Sequence, residues 1–283
     1  MPHPKHLHPR RYVFRGHASG VSAHIRRPDE RVLSVQPCSS LPVTGGRTQH
    51  RVGRTMLDKW VAFESANTSA HGDYVRAEDG VASTHGGQGL DSFEVETRVS
   101  AEVQGLSVLG RLHVTDLAIG IVSRNVGGKA EAPIRLEGNR ITGVRLDDAR
   151  LQITLAEDFY QAYPTMSGLA AAWNSLAADE KAMFLPLVAG EDVSSFPKAG
   201  GIVKCTLVKS IAWDGTPHPT AQIHGHVIEV PNFGKIYFGE MFLCAESRRI
   251  TMLRCQLGSD DGGEVSAGDG EGTTGQPYPP TGG

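Results

Sequence analysis

The sequence predicts a mainly β fold, an antiparallel barrel or sandwich with a small α-helical insertion. Three observations carry that expectation. Residues 220–257, TAQIHGHVIEVPNFGKIYFGEMFLCAESRRITMLRCQL, read as three successive strands rich in β-branched, aromatic and aliphatic side chains. Residues 93–104 alternate strictly: Phe93, Val95, Thr97, Val99, Ala101 and Val103 share one face, with Glu94, Glu96, Arg98, Ser100, Glu102 and Gln104 on the other. That is the pattern of an antiparallel strand with one wet face. The 34 glycines and 16 prolines in 283 residues exceed what a helical protein carries.

Along the chain, residues 1–9 are expected to be disordered, because Pro2, Pro4 and Pro9 deny His3, His6 and His8 a regular scaffold. From Tyr12 the pattern turns strand-like, with Gly16 and Gly20 as bulges or turns, and residues 31–36 form a short strand stopped by Pro37. Residues 60–66 read as a strand. Residues 67–91 are polar and Gly-rich and read as a long loop, in which His71, Asp73 and His85 form a candidate loop-borne site. Further strands are expected over 106–122, 134–136, 141–146 and 151–156, the last two joined tightly through Asp147 and Asp148.

The period then changes. Thr165 caps a helix whose apolar stripe is Leu169, Trp173 and Leu176, and a second helical stretch stops at Pro186. This insertion, about residues 165–185, is expected to lie as a lid on the β structure. Residues 202–213 return to strand and lead into the meander at 220–257.

In that meander, Pro231-Asn232-Phe233-Gly234 is turn chemistry. Simple hairpins would pair Val230 with Lys235 and Ala245 with Ile250. One face then carries Val227, Ile236, Phe238, Glu240 and Cys255, and the other His224, His226, Tyr237, Met241 and Met252. Both faces are largely apolar, so the meander is expected to be the core. Residues 259–283 read as a disordered, acidic, Gly-rich tail, leaving a single folded domain over 10–258. The tail holds a formal G-x-G-x-x-G, Gly270 to Gly275, with neither a preceding strand nor a following helix in this reading, which excludes a nucleotide site.

The net charge of −3 gives no reason to invoke nucleic acid or an anionic membrane. Its distribution is uneven. Lys5, Arg10, Arg11, Arg15, Arg26, Arg27 and Arg31 outweigh Asp29 and Glu30 for a net of +5, whereas Asp260, Asp261, Glu264, Asp269 and Glu271 have no basic neighbour, a net of −5. Oppositely charged ends are a motive for self-association or a protein partner. Cys38, Cys205, Cys244 and Cys255 lack C-x-x-C spacing, consistent with a reduced, cytoplasmic protein. No apolar leader and no stretch long enough to span a membrane is present.

Candidate chemistry centres on four residues. His224 and His226, at i and i+2 on a strand, would point the same way and could supply half of a divalent metal site, with His113 or His24 as a third ligand. The pair resembles the H-x-H of cupins, with a departure: Glu229 falls on the opposite face and no later histidine completes a set. Glu240 is a candidate buried carboxylate, and Trp173 a candidate wall of an apolar ligand pocket under the helical lid. No G-x-S-x-G, Walker A, H-E-x-x-H or EF-hand motif occurs. The run VPNFGKIYFGEMFL followed by RRITMLRCQLGSDDGGEVSAGDGEG is similar to one in a bacterial protein family that is itself uncharacterised. The resemblance implies a shared β fold and transfers no catalytic residue. The expectation is a non-enzymatic binding or self-assembly module with no cofactor. The alternative is a metal-dependent enzyme of cupin-like shape using His224 and His226.

Overall fold

A computed structural model of the chain describes residues 11–75, 94–126, 131–187, 196, 201–258 and 261–278. The segment 1–9 expected to be disordered, and His85, lie outside the described residues.

The chain opens with β1 (Arg11–Val13), β2 (Gly16–Ile25), β3 (Arg31–Ser40), β4 (Gly46–Val52), β5 (Thr55–Leu57), β6 (Val61–Phe63) and β7 (Ser65–Val75). Two long strands follow, β8 (Glu94–Val108) and β9 (Leu112–Val126), then the short β10 (Ile134–Leu136), β11 (Arg140–Thr142) and β12 (Val144–Leu146), and β13 (Ala149–Leu155). Helices α1 (Glu157–Ala162), α2 (Met166–Ala172) and α3 (Ala178–Lys181) interrupt before β14 (Phe184–Leu185), β15 (Val203–Thr206) and β16 (Val208–Asp214). The remainder is β17 (Gln222–His224), β18 (Val227–Val230), β19 (Gly234–Leu243), β20 (Ser247–Leu257), β21 (Gly263–Thr273) and β22 (Gln276–Tyr278).

Twenty of these strands build two antiparallel sheets packed face to face, and β1 and β22 pair with each other as a separate two-stranded sheet. The larger, of eleven strands, runs β16-β13-β12-β9-β8-β6-β5, with β7 and β4 continuing beside β8 and with β10 and β11 on β9. The smaller, of nine, runs β14-β15-β19-β20-β21-β2-β3, with β18 and β17 beside β19. Both sheets remain open among the described residues, so the architecture is a sandwich. One corner is made by Leu207, where the chain leaves β15 in one sheet and enters β16 in the other. Between the sheets lie Val99, Ala101, Leu117, Ile119 and Ile121 from one side, and Ile236, Phe238, Met241, Ile250 and Leu253 from the other. The alternation expected for 93–104 is present from Val95 to Val103.

The helical insertion forms, beginning earlier than expected, at Glu157. Thr165 caps α2 by accepting the Gly168 N–H at 3.1 Å, and Leu169, Trp173 and Leu176 are buried as the stripe requires. Residues 67–75, expected in a loop, belong to β7, and His71 and Asp73 pair with Arg98 and Glu96 of β8. The polar residues there are the outer face of a strand.

The largest correction concerns the segment read as a disordered tail. β21 lies inside the smaller sheet, paired on one side with β20 and on the other with β2. Its inward positions include Gly268, Gly270 and Gly272. A Cβ at these positions would stand 2.2 Å from Leu117 Cδ2, 2.3 Å from Ile119 Cδ1 and 2.6 Å from Ile121 Cγ2. Three apolar side chains of β9 therefore press on bare backbone. The apolar surface that the tail lacks is supplied by the opposite sheet, and the formal G-x-G-x-x-G is a close-packing device.

A second correction concerns which side chains face inward. In β19 the buried core residues are Ile236 and Phe238, then Met241 and Leu243. In β20 they are Ile250 and Met252, then Leu253 and Cys255. In β21 Val265 and Ala267 give way to Gly268. The reversal occurs in one row, because Phe238 pairs with Leu253 and Glu240 with Thr251, while Leu253 pairs with Ala267 and Thr251 with Asp269. Gly239 (φ 60°) and Gly268 (φ 67°) provide the left-handed backbone that such a reversal needs. The expected hairpin register shifts as well: Val230 pairs with Gly234, and Cys255 with Ile236. The larger sheet reverses likewise, from Val103 to Leu106 in β8 and from Val114 to Leu117 in β9. Gly105 and Gly143, both with positive φ, flank Thr115 in that row. Leu117 touching the Gly268 position brings the two reversals to the same level of the sandwich.

Gly270→Ala should lower stability by about 1–3 kcal/mol through overpacking against Ile119. Glu271→Ala, on the outer face of the same strand, should stay within about 0.5 kcal/mol of the parent. Urea unfolding followed by Trp fluorescence checks both.

Candidate functional site

The structure separates the two histidines expected to act together. β17 ends at His224, and Gly225 (φ 60°) with His226 forms a two-residue turn into β18, so His224 pairs with Val227 across a hairpin. His224 is exposed, whereas His226 is buried with Nε2 lacking a partner among the described residues. His24 bonds to Glu30 at 3.0 Å, and His113 bonds through Nε2 to the Gly110 carbonyl at 3.0 Å. Among the described residues no three His, Cys, Asp or Glu side chains converge as metal ligands do.

His226 comes instead toward Glu240. The pleat reversal at Gly239 turns Glu240 to the outer face of the smaller sheet, where it is nevertheless buried. Arg254 grips its carboxylate with both arms, Nε to Oε2 at 2.6 Å and Nη2 to Oε1 at 3.0 Å, and Lys204 Nζ stands 3.7 Å away. The Arg254 guanidinium also lies 3.8 Å from the Tyr237 ring centroid and reaches Glu264 at 3.2 Å. Burial pushes the His226 imidazole below its ordinary pKa, against the pull of the nearby Glu240 charge. The cluster is a neutral imidazole beside a carboxylate saturated by two cations.

Trp173 packs edge-on against Phe184 at 4.9 Å and beside Phe196 at 5.2 Å, on the inner layer under the helices. Glu240 is on the outer face, so the two pocket candidates do not share a pocket. At the end of α1 lies a buried polar group that sequence reasoning missed. Arg248 is 2% exposed and donates to the Tyr163 carbonyl at 2.9 Å, and its guanidinium acts through space on the buried Tyr160 phenol and Cys205 thiol. Burial pushes the Cys205 thiol up to about 12, and the Cys255 thiol upward as well, so neither is a thiolate nucleophile at neutral pH.

A second missed cluster is Arg111, Asp147 and His218. Arg111 bonds Asp147 through two nitrogens at 2.9 and 2.8 Å, and His218 Nε2 donates to Asp147 at 2.9 Å. Its Nδ1 accepts the N–H groups of Thr220 and Ala221. Hydrogen bonds from Arg111, and secondarily from His218, hold the Asp147 carboxyl down at about 2. Both ring nitrogens of His218 are engaged, which leaves none to act as a base. The cluster fastens the loop before β17 to the β12–β13 turn.

A further feature is a groove of about 1000 Å³ on the outer face of the larger sheet. It follows the pleat reversal at Gly105, Thr115 and Gly143, where the sheet is concave outward. Polar side chains line it, among them Glu64, His113, Thr115, Arg145, Arg150 and Gln152. One row of the sheet places His113 beside Arg145, Arg145 opposite Arg150, and Arg150 opposite Asp214. The two-residue turn at Asp147 and Asp148, visible in the sequence, already dictates that Arg145 faces Arg150.

Residues 12–185 and 188–244 match the family described as a domain of unknown function, DUF8256. The chain belongs to this family. The match ends within the fold, since β20 and β21, which lie beyond it, join β19 to β2 in the smaller sheet. No curated protein and no solved structure matches the chain.

With the folded pKa of His226 below the unfolded value of about 6.5, the unfolded chain takes up its proton first as pH falls. Stability is therefore full above about 6.5 and declines below it, by at most about 1.4 kcal/mol per pH unit from this group. Urea unfolding should show a shallower loss between about pH 7 and pH 5 for His226→Gln than for the parent chain.

Proposed function

We propose that this chain is a non-enzymatic, cytoplasmic binding module whose ligand occupies the groove on the outer face of the larger sheet. The observation that carries the reading is the groove itself: about 1000 Å³ of concave surface at a built-in bend, with more polar than apolar surface in its lining. Elsewhere the groups suited to chemistry are engaged or neutralised. His218 uses both ring nitrogens, the Glu240 carboxylate is held by Arg254, and two buried thiols stay protonated. All four cysteines are free, which supports a reducing compartment. Among the described residues no helix is long and apolar enough to cross a membrane.

The self-assembly variant of this reading is less well supported. The exposed Val32 and Val35 lie on β3, an edge strand and a natural place for a second copy to add. That strand is bulged against β2 between the Leu33 and Gln36 pairings and carries Pro37, and both features oppose strand addition. The metal-enzyme alternative would rest on His226 together with Glu240, whose carboxylate is already taken by Arg254.

Gln152 is exposed on β13 at the groove, and Gln152→Trp should fill the cleft without disturbing the core. Native mass spectrometry and thermal shift against a library of small polar compounds should find ligands of the parent chain. Saturation at about 100 times Kd adds about 2.7 kcal/mol of stability, and the Gln152→Trp variant should lose most of it. Ligands that bind both proteins equally would place the site elsewhere.

A further inference from the structure

We propose that the groove takes an anionic ligand, a phosphate or sulfate monoester of a hydroxylated small molecule, with its oxyanion held between Arg145 and Arg150. This rests on the groove being the binding site. On the outer face of the larger sheet several arginines are neutralised by carboxylates. Arg98 binds Glu137, Arg124 binds Glu96, and Arg140 binds Asp116 and Glu102. Arg145 and Arg150, exposed on that same face, make no ion pair among the described residues, as is true also of Arg47, Arg51 and Arg135, but these two alone of the five line the groove, with Asp214 in register beside Arg150.

They also face each other directly across β12 and β13. Directly opposed residues of an antiparallel pair have Cβ atoms roughly 5 Å apart, and like charges so placed are unfavourable. The two guanidiniums hang over a concavity rather than over flat sheet, with His113 next in the same row. A tetrahedral oxyanion satisfies this arrangement, because its several oxygens can accept from two planar forks at once and its charge neutralises both.

The rest of the groove argues that the ligand is larger than a bare anion and is hydroxylated. Thr115 and Gln152 can donate to or accept from hydroxyls. Glu64, at the groove and without an ion pair among the described residues, accepts from hydroxyls and repels a second anionic group. The ester oxyanion therefore sits at the arginines and the polyhydroxyl part along the bend.

The test measures binding of a hexose phosphate, the matching hexose sulfate, inorganic phosphate and the free hexose. Isothermal titration and thermal unfolding are run at constant ionic strength, on the parent chain and on Arg145→Gln, Arg150→Gln and Gln152→Trp. At least one ester should bind the parent chain, and each arginine variant should bind it about tenfold more weakly. The ester-free arginine variants should unfold at or above the parental temperature, since the opposed charges are relieved. Preference between the two esters assigns the oxyanion, and inorganic phosphate alone should bind more weakly than the better ester. Ester binding unchanged in both arginine variants, or absent in the parent chain, overturns the proposal. If the free hexose binds as well as its esters and Gln152→Trp blocks it, the groove stands and its anion preference falls. If Gln152→Trp leaves ester binding intact, the groove falls too.

Discussion

The fold depends on the contact of Leu117, Ile119 and Ile121 with the bare backbone at Gly268, Gly270 and Gly272. Two sheets ordinarily pack about 10 Å apart because side chains from both interdigitate. Where one partner contributes only glycine, the gap is filled from one side and the layers draw together. β2 adds to the same thin region through Gly16, Ala18 and Gly20. Stability in this region comes from the β9 side chains and from the fact that nothing opposes them. Any added methyl enters space that is already occupied.

The thin region begins at the row where the pleat reverses in both sheets. A reversal lets a strand place two neighbouring residues on the same side and bends the sheet there. On the outside of the larger sheet the bend leaves the concavity that runs past Thr115. On the outside of the smaller sheet it turns Glu240 away from the core toward Arg254 and Lys204. One geometric event thus accounts for a groove on one surface and a charged cluster on the other. Neither needs a separate structural cause.

This explains what the sequence could and could not reveal. β8 was legible because one of its faces is wet and the other dry, and α2 because Thr165 and the Leu169, Trp173, Leu176 stripe are local signals. The antiparallel β class, barrel or sandwich, followed from the same patterns, and that both sheets stay open did not. Strict alternation assigns the faces of the meander for Ile236 and Phe238 and fails beyond Gly239. β21 was hidden because propensity assesses a segment by its own side chains, and those of its inward face are glycines packed by residues about 150 positions earlier in the chain. His226 and Glu240 were singled out from sequence, but the partner that fixes Glu240, Arg254, depends on register. Arg145 and Arg150 were within reach, since a two-residue turn fixes their pairing, yet their lack of an ion pair among the described residues is a property of the folded surface alone.

The position of β21 also bears on biosynthesis. Gly16 pairs with Gly272 and Ile25 with Gly263, so β2 receives one of its two neighbours only when residues 263–273 arrive. Until then β2 and β20 each present an open edge, and the apolar row of β9 has no glycine backbone to rest on. These surfaces stay uncovered in a nascent chain until residues 263–273 have emerged, and closure of the smaller sheet awaits contacts between segments that lie far apart in sequence. The smaller sheet is therefore expected to close only after β21 has been made, with the need for chaperone protection greatest just before it emerges.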